Sequence, residues 1–415
     1  MKKFIIFLSL FPIILYSQNQ AFTFVKNKNQ TTIPFEVVNN LIIIKIAVNN
    51  NSDSMSFIFD TGIKPTLITS FSENITFQVT DKVMIRGLGN GQDIQVLISP
   101  NNSLSINNDL TISNQVFYIF PFDKFELSKQ LGMTINGIIG YSIFEKFIVQ
   151  VDYETQKITF YNPLKFKKFK RLKKWEKMPI NIYNGKPYTT VEVNVNDTLK
   201  FNSKVLIDLG ASDALWLFPQ TFSNYKSIYP PTLYYLGQGL NGDIFGFQTS
   251  IKSLKISNKY YFENISTSIP DTFSIQVPKD YDVEGRNGTI GAELLRRFHI
   301  LFDYQKGFMY IKKNKFYKDD FIYDLSGIEI QTPYPGIRYY SIYYVHPNSP
   351  ASDSGLKTGD VFLSIDNQPV TELKLNEILL ILSTREGKTL KIIVQREDEI
   401  ITTKLKLSNY KLINK

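Results

Sequence analysis

One short pattern occurs twice in this chain of 415 residues. The segment FIFDTG ends at Gly62 and VLIDLG ends at Gly210, so that each places an aspartate between an apolar strand and a glycine. The segments GIIGYSIFEKFIVQVDY and GTIGAELLRRFHILFDY, each about 80 residues further along, also resemble each other. Asp60 and Asp208 are therefore equivalent positions in two copies of one unit.

The duplicated aspartate constrains both the fold and the chemistry. A two-fold pseudo-axis between the copies brings equivalent positions face to face. Two carboxylates about 3 Å apart cannot both ionise, so one keeps a proton while the other acts as a base. We therefore expect Asp60 and Asp208 to form a proton-sharing pair.

The repeat also divides the chain. Both copies are rich in alternating or β-branched runs punctuated by Gly, Asn and Asp, which is typical of strands. We predict an all-β, bilobal body with pseudo-two-fold symmetry and β-barrel character, with short helices only at 142–146 and 293–297. The predicted units are a signal peptide at 1–17, lobes at 21–166 and 179–315, a basic linker at 167–178 and a small β-rich, two-helix domain at 322–410.

The N-terminus has the pattern of an export signal. Lys2 and Lys3 precede an apolar run at 4–16, which is too short to span a bilayer as a helix. We predict cleavage near Ser17. The sequence contains no cysteine, which excludes a disulfide framework and a thiol nucleophile. These features favour a bacterial periplasmic or secreted protein.

The formal net charge of +9 is concentrated in one place. Residues 165–177 hold eight Lys or Arg against one Glu, so this tract carries +7. Such a run favours a solvated linker or exposed strand, and contact of Lys165 to Lys174 with an anionic membrane surface is the alternative. Export argues against a nucleic-acid partner.

Other catalytic arrangements have little support. The sequence has two histidines, His299 in an apolar strand and His346 before a proline. Neither has the surroundings of a Ser-His-Asp triad. Two histidines without cysteine argue against a zinc site, so we expect no metal and no cofactor.

Glycine-rich segments follow both aspartates at matched distances. IRGLGNG begins 25 residues after Asp60, and YLGQGLNG begins 27 residues after Asp208. Glycines at a hairpin tip permit a mobile cover whose backbone hydrogen-bonds an extended peptide. We predict flaps whose glycines are Gly87, Gly89, Gly91, Gly237, Gly239 and Gly242.

These motifs resemble those of retropepsin-like aspartic proteases in their two-lobed, single-chain form. The residues that carry the resemblance are Asp60, Thr61, Gly62, Ile138, Ile139, Gly140, Asp208, Leu209, Gly210, Ala211, Ser212, Thr289, Ile290 and Gly291. The resemblance implies a water between the two aspartates, one carboxylate accepting its proton while the other donates to the peptide carbonyl. It implies a monomer, because one chain supplies both aspartates.

Two departures from the family pattern make the loops unequal. Thr61 can form the hydroxyl link to the other lobe, whereas Leu209 cannot. Ser212 is expected to brace the Asp208 carboxylate, and its counterpart in copy one is Lys64. Lys64 lowers the pKa of Asp60 if its ammonium points inward, and has no such effect if it turns to solvent.

The C-terminal unit resembles a PDZ domain of the bacterial, protease-associated type. The residues concerned are Ser349, Pro350, Ala351, Gly355, Leu356, Lys357, Thr358, Gly359 and Asp360. The resemblance implies binding of extended peptides by strand addition, with loop N–H groups receiving a C-terminal carboxylate. The peptide-binding residues implied here are Leu325, Ser326, Gly327, Ile328, Leu375, Ile378 and Leu379. The alternative is a domain that only packs on the body.

Three functions remain open from the sequence. The first is an exported aspartic endopeptidase whose PDZ domain binds substrates. The second is a catalytically weak or inactive relative that serves as a peptide-binding scaffold of the cell envelope, which Leu209 favours. The third is an envelope protein whose basic tract binds anionic surfaces.

Overall fold

The computed structural model describes residues 22–25, 28–121, 126–167, 170–222, 233–275, 285–321 and 324–410. The predicted signal peptide at 1–17 lies outside these residues. Among the helices that are described, none is long and apolar enough to cross a membrane.

The first copy of the repeat forms short strands connected by tight turns, many with Asn in the left-handed region. Its strands are β1 (Phe22–Phe24), β2 (Gln30–Pro34), β3 (Glu36–Val38), β4 (Leu41–Val48), β5 (Ser54–Phe59), β6 (Thr66–Ile68), β7 (Asp81–Ile85), β8 (Ile94–Ile106), β9 (Leu110–Ile119), β10 (Gly137–Ile139), β11 (Ile148–Asp152) and β12 (Lys157–Tyr161). Its helices are α1 (Leu127–Leu131) and α2 (Tyr141–Phe144).

The second copy repeats this arrangement. Its strands are β13 (Glu176–Pro179), β14 (Asn181–Tyr183), β15 (Lys186–Asn194), β16 (Lys200–Ile207), β17 (Leu215–Leu217), β18 (Tyr234–Gly239), β19 (Gly242–Lys255), β20 (Tyr261–Pro270), β21 (Arg286–Ile290), β22 (Phe298–Asp303) and β23 (Phe308–Lys313). The short helix α3 (Ala292–Leu295) corresponds to α2. The helices α2 and α3 begin one residue before, and end two residues before, the predicted positions. The prediction that these are the body's only short helices is wrong, because α1 is a third.

Each lobe contains a large, mostly antiparallel sheet, and both sheets place a later strand, β10 or β21, between two earlier strands. In the first lobe, the strand order is β1-β9-β6-β10-β5-β4-β8-β7, with β3 beside β4. In the second lobe, it is β14-β15-β16-β21-β17-β20-β19-β18. The strand that delivers each aspartate, β5 or β16, pairs in parallel with β10 or β21. The predicted duplication is thus a duplication of topology.

A six-stranded sheet joins the lobes in the order β13-β23-β22-β11-β12-β2. The lobes meet at β11 and β22, where Val149 lies opposite Phe302. Strand β13 occupies the end of the segment predicted as the basic linker and pairs with β23. Part of this segment is therefore a sheet strand, and residues 170–174 form a 3₁₀ turn.

The C-terminal module has its own hydrophobic core. Its elements are β24 (Ile328–Gln331), β25 (Ser341–Val345), α4 (Pro350–Asp353), β26 (Val361–Ile365), β27 (Gln368–Pro369), α5 (Leu375–Ser383), β28 (Thr389–Arg396) and β29 (Glu399–Lys406). Ser349 caps α4 by accepting a hydrogen bond from the Ser352 N–H, as expected for a Ser-Pro helix start. Gly355, with φ of 75°, follows the end of α4. The predicted all-β body with a small β-rich, two-helix domain is confirmed.

The module packs against the first lobe. Asn376 of α5 accepts a hydrogen bond from the Asn39 N–H at 2.9 Å and donates one to the Val37 carbonyl at 2.7 Å. The Thr332 N–H after β24 donates to the Lys129 carbonyl of α1 at 2.7 Å. These contacts place β24 and α5 beside the cleft between the lobes.

Candidate active site

The two aspartates follow equivalent strands at the bottom of the cleft. Asp60 follows β5 and Asp208 follows β16. The Asp60 N–H donates to the Ile139 carbonyl at 2.9 Å, and the Asp208 N–H donates to the Ile290 carbonyl at the same distance. Since both backbones are anchored to the paired parallel strand, the two loops hold their carboxylates in the same way.

Glycine allows the two loops to meet. The Gly62 N–H donates to Asp60 Oδ1 at 2.5 Å, and the Gly210 N–H donates to Asp208 Oδ1 at 2.8 Å. A Cβ at Gly62 would lie 2.5 Å from Asp208 Oδ2, and a Cβ at Gly210 would lie 2.2 Å from Asp60 Cγ. Each glycine therefore gives space to the carboxylate of the other lobe, and any side chain there would separate the pair.

The close approach of the carboxylates affects their protonation. Burial first, and then the neighbouring Asp208 carboxylate and its hydrogen bond, raise the pKa of Asp60 well above its usual range. The Gly62 N–H and the Lys186 ammonium act in the opposite direction. The pair thus favours a state in which one proton is retained between the two carboxyl groups.

Thr61 links the lobes behind the pair. Its hydroxyl donates to the Ile207 carbonyl at 2.7 Å and accepts from the Leu209 N–H at 2.9 Å, and the side chain is buried. Leu209 cannot return such a link, but it is 0% exposed and belongs to the main hydrophobic core. The second loop therefore replaces a hydroxyl contact by apolar packing.

Lys64 and Ser212 occupy equivalent positions. Lys64 is turned away from the pair, which was one of its two predicted orientations, whereas the predicted contact of Ser212 with the Asp208 carboxylate is wrong. Lys64 is exposed, and its Nζ donates to Asn184 Oδ1 of the second lobe at 3.0 Å. Ser212 lines the cleft and its carbonyl accepts from Asn40 Nδ2 of the first lobe at 3.1 Å. In the described part of the chain, the Ser212 hydroxyl makes no hydrogen bond to Asp208. Both residues therefore form hydrogen bonds to the opposite lobe.

Lys186 lies near the pair and was missed by the sequence analysis. It begins β15, is 8% exposed, lines the cleft, and lowers the pKa of Asp60 through its positive charge. Its counterpart in the first lobe is Leu41, which follows the same type of tight turn. Alignment of the two turns would have pointed to this position, because a lysine there replaces an apolar residue.

The predicted flap glycines lie on two hairpins that meet above the cleft. Gly87, Gly89 and Gly91 lie in the turn between β7 and β8, and Gly239 and Gly242 flank the turn between β18 and β19. Gly237 lies within β18, at an irregularity in its pairing with β19, rather than at the tip.

Asn241 fastens the two hairpin tips together. This side chain is 1% exposed, accepts from the Gly87 N–H at 2.5 Å and donates to the Gln92 carbonyl at 2.6 Å. The Asn241 N–H also donates to the Leu88 carbonyl at 2.8 Å. The flaps are therefore closed on each other in this structure.

A cavity of about 560 Å³ lies beneath the flaps. Its walls include both aspartates, the flap residues Leu88 and Leu240, and α1. It extends from Asp60 and Asp208, the aspartate dyad, to β24 and α5 of the C-terminal module. This size is within the range of sites that bury a small ligand or part of a peptide.

The residues predicted to bind peptide in the C-terminal module are only partly placed for that role. Leu375 and Leu379 line the cavity, and Ile328 does so from β24. Ile378 is 0% exposed, packs in the module's core and is not part of the cavity wall. Leu325 is buried and is not part of the cavity wall.

The loop predicted to receive a C-terminal carboxylate already binds one from its own chain. Asp324 accepts hydrogen bonds from the N–H groups of Ser326 and Gly327 at 2.9 and 3.0 Å. The Ile328 N–H donates to the Ser326 hydroxyl at 3.2 Å. The prediction that these N–H groups receive a ligand carboxylate is therefore wrong for this conformation.

The two histidines lie away from the aspartate pair. His299 of β22 approaches Asp152 at 3.1 Å. Although burial acts to raise it, the hydrogen bond from His299 lowers the pKa of Asp152 to about 2. His346 is buried and meets Glu329 Oε1 at 2.9 Å. His346, Glu329 and Asp324 have potential ligand atoms within 4.8 Å of one another, but Asp324 is already engaged by its own loop.

Residues 313–407 match the protein family described as "PDZ domain". These residues form a PDZ domain. Part of the chain is also similar to a solved structure, that of Basic 7S globulin from soybean, with 11% identity and a TM-score of 0.43. The similarity covers 69% of this chain and 95% of the soybean chain. No curated protein sequence matches the chain.

Proposed function

We propose that the protein is an aspartic endopeptidase. The observation that carries the proposal is the pair of equivalent carboxylates, Asp60 and Asp208, each seated against the glycine of the other's loop. The pair lies in a cavity beneath flaps whose tips are fastened to each other, which limits the access of bulk water to the reaction. The raised pKa of Asp60 supplies a retained proton under conditions where an ordinary aspartate has lost it.

In the proposed reaction, the two carboxyl groups hold and activate a water molecule. The ionised carboxylate accepts a proton as the water attacks the peptide carbonyl, and the protonated one donates to the carbonyl oxygen. The proton taken from water then passes to the leaving amine as the C–N bond breaks, and a hydroxyl proton of the intermediate returns to the other carboxylate, which restores the pair. Backbone groups of the flaps hold the substrate as an extended strand. This chemistry requires no metal or organic cofactor.

The PDZ domain is proposed to bind segments of polypeptide substrates beside the catalytic cavity. We also propose that the protein is exported to the periplasm or the medium, on the basis of the charge and apolar run at 1–17. The tract from Lys165 to Lys174 is a proposed contact for anionic membrane surfaces. A monomer suffices, because both aspartates come from one chain.

Cleavage of unfolded casein between about pH 3 and pH 7 tests the proposal. The Asp60→Asn and Asp208→Asn variants are expected to lose about 10²- to 10⁴-fold in rate, because either change removes the shared acid–base function. Asp53→Asn is the matched control, since Asp53 is an exposed surface aspartate. Equal cleavage by wild type and both dyad variants would show that another group performs the reaction.

One observation favours the alternative of a weak or inactive, peptide-binding protein. Leu209 gives the second loop no hydroxyl, so the reciprocal link between the lobes is missing. If purified protein binds unfolded casein but does not cleave it at any pH tested, this alternative replaces the endopeptidase. Thr61, which makes two hydrogen bonds to the second lobe, supports the active form.

A further inference from the structure

The catalytic cavity and the groove of the PDZ domain are one continuous space. The same cavity is lined by Asp60 and Asp208 and, at its other end, by Ile330 of β24 and Leu375 and Leu379 of α5. Peptides bind PDZ domains between a sheet edge and a helix of this kind. A chain lying in the groove therefore has an open path to the dyad.

Strand β24 is suited to accept an additional strand. It is the terminal strand in the order β24-β25-β26-β28-β29, so within the described residues only one of its edges is paired. Leu375, Leu379 and Leu382, spaced four and three residues apart on α5, line the cavity. This arrangement offers backbone hydrogen bonds on one side of the groove and apolar contacts on the other.

The end of the groove rejects a free C-terminus. The Ser326 and Gly327 N–H groups donate to Asp324, whose other oxygen accepts from the Tyr410 hydroxyl at 2.5 Å. Ser326 is 1% exposed and the loop is further fixed by the Ala351 N–H, which donates to the Ser326 carbonyl at 2.9 Å. A ligand carboxylate would find these donors occupied.

Charge at the same end adds to this exclusion. Asp324 and Glu329 both line the cavity beside the loop, and Glu329 meets buried His346 at 2.9 Å. A third carboxylate placed there would be repelled, since like charges within a few ångströms disfavour each other. An internal segment of a polypeptide has no carboxylate at this point, so it does not need the occupied N–H groups and is not repelled by Asp324 and Glu329.

We propose that a single extended polypeptide occupies both the PDZ groove and the catalytic cavity, and that the groove takes an internal segment of the substrate rather than its C-terminus. The part of this proposal that concerns cleavage rests on the proposed endopeptidase function. The part that concerns the groove does not. The PDZ domain is thus a continuation of the substrate cleft.

Binding of two matched peptide pools tests the groove separately from catalysis. The probes are fluorescein-labelled random peptides of about 16 residues, an extended length of about 50 Å, ending in a carboxylate or an amide. Fluorescence anisotropy is measured with the full-length Asp208→Asn protein, which prevents turnover. The amide pool is expected to bind at least as tightly as the acid pool. Tenfold tighter binding of the acid pool, or no saturable binding of either, would overturn the proposal.

Dependence on substrate length tests the continuity of the two sites. Peptides of about 8 and 16 residues share one cleavage site mapped in casein, so that only the longer one reaches the groove. In the wild type, kcat/KM is expected to be at least about tenfold higher for the longer peptide. Leu379→Glu should abolish this advantage, because it places a charge in the apolar wall.

Leu380→Glu is the matched control, since Leu380 neighbours Leu379 on α5 but is 56% exposed. An advantage that survives Leu379→Glu, or that is absent in the wild type, would overturn the single-polypeptide proposal. If no peptide is cleaved at all, the endopeptidase function fails, while the two pools still decide which ligand the groove takes.

Discussion

Leu209 is a core residue as well as an altered position in the second aspartate loop. It is fully buried in the cluster that spans both lobes, while its N–H is held by Thr61. We expect Leu209→Ala to lower the free energy of unfolding by about 2–5 kcal/mol, because it removes apolar contacts and leaves a cavity.

Urea denaturation of the purified variant measures this loss. Leu164→Ala is the control, because Leu164 is 81% exposed and its truncation should change stability by less than about 0.5 kcal/mol. A Leu209→Ala protein as stable as the control would mean that this position carries no packing energy.

The raised pKa of Asp60 predicts a pH dependence of stability. The folded protein holds this proton more tightly than the unfolded chain, whose aspartates have the usual value of 3.8. Stability should therefore fall as the pH rises from about 4 through the raised pKa, because the advantage of the folded state in binding this proton is lost there.

Asp60→Asn should remove this part of the pH dependence, because asparagine does not titrate. Melting temperatures measured across the same pH range check the effect, with the exposed Asp53→Asn as the control. A wild type and an Asp60→Asn variant whose stabilities change with pH in parallel would contradict it.

Lys186 should set the upper limit of the activity profile. Its positive charge favours the ionised form of Asp60, so Lys186→Met raises the pKa of Asp60. Because activity requires one proton on the pair, the decline of kcat/KM at high pH should move to higher pH. Lys64→Met should not move it, since Lys64 contacts Asn184 instead. The reverse ranking of the two variants would exclude this role for Lys186.

At the scale of elements, closure of the flaps depends on one buried amide. Asn241→Ala removes hydrogen bonds to Gly87 and Gln92 and leaves a buried N–H without its partner, at a local cost of about 1–3 kcal/mol. Amide hydrogen exchange at 87–92 should become faster, because the first hairpin opens more often. Asn181→Ala, on exposed β14, is the control. Unchanged exchange in the Asn241 variant would mean that other contacts close the flaps.

The positions of the strands and flaps could be predicted because they depend on patterns within short stretches of the sequence. Asp60 and Asp208 could be paired through the repeat, since equivalent loops in two copies of one fold must be related by its axis. The flap glycines were found by their matched distance from each aspartate. Gly237 was placed too close to the tip, because the irregularity in β18 has no clear signature in the sequence.

The remaining parts of the site depend on contacts between distant segments. The Asp324 carboxylate accepts hydrogen bonds from the N–H groups of the loop that follows it. A single sequence does not show whether these N–H groups are occupied in this way or left for a ligand. Ile378 was assigned to the groove from helical spacing, but the position of the core decides which face of α5 is buried. Ser212 was assigned to the Asp208 carboxylate from its place in the loop, whereas its carbonyl accepts from Asn40 of the opposite lobe. The orientation of Lys64 was left open, because its contact with Asn184 joins segments far apart in the sequence.

At the scale of the whole molecule, each lobe contributes one half of the site and the PDZ domain extends its wall. The six-stranded sheet fixes the lobes through β11 and β22, so the distance between Asp60 and Asp208 is set by paired backbone rather than by loops alone. The PDZ domain contacts the first lobe through Asn376 and lines the same cavity. Function is therefore expected to depend on the intact chain.

The most direct test of this account is a titration of the dyad itself. NMR of protein labelled with ¹³C at the aspartate carboxyl groups measures the protonation of Asp60 and Asp208 as a function of pH. We predict that one carboxyl of the pair titrates well above 3.8, and that Asp208→Asn lowers the pKa of Asp60 by removing the neighbouring charge. Two independent titrations near 3.8, with Asp60 unaffected by Asp208→Asn, would contradict the shared proton on which the proposed reaction depends.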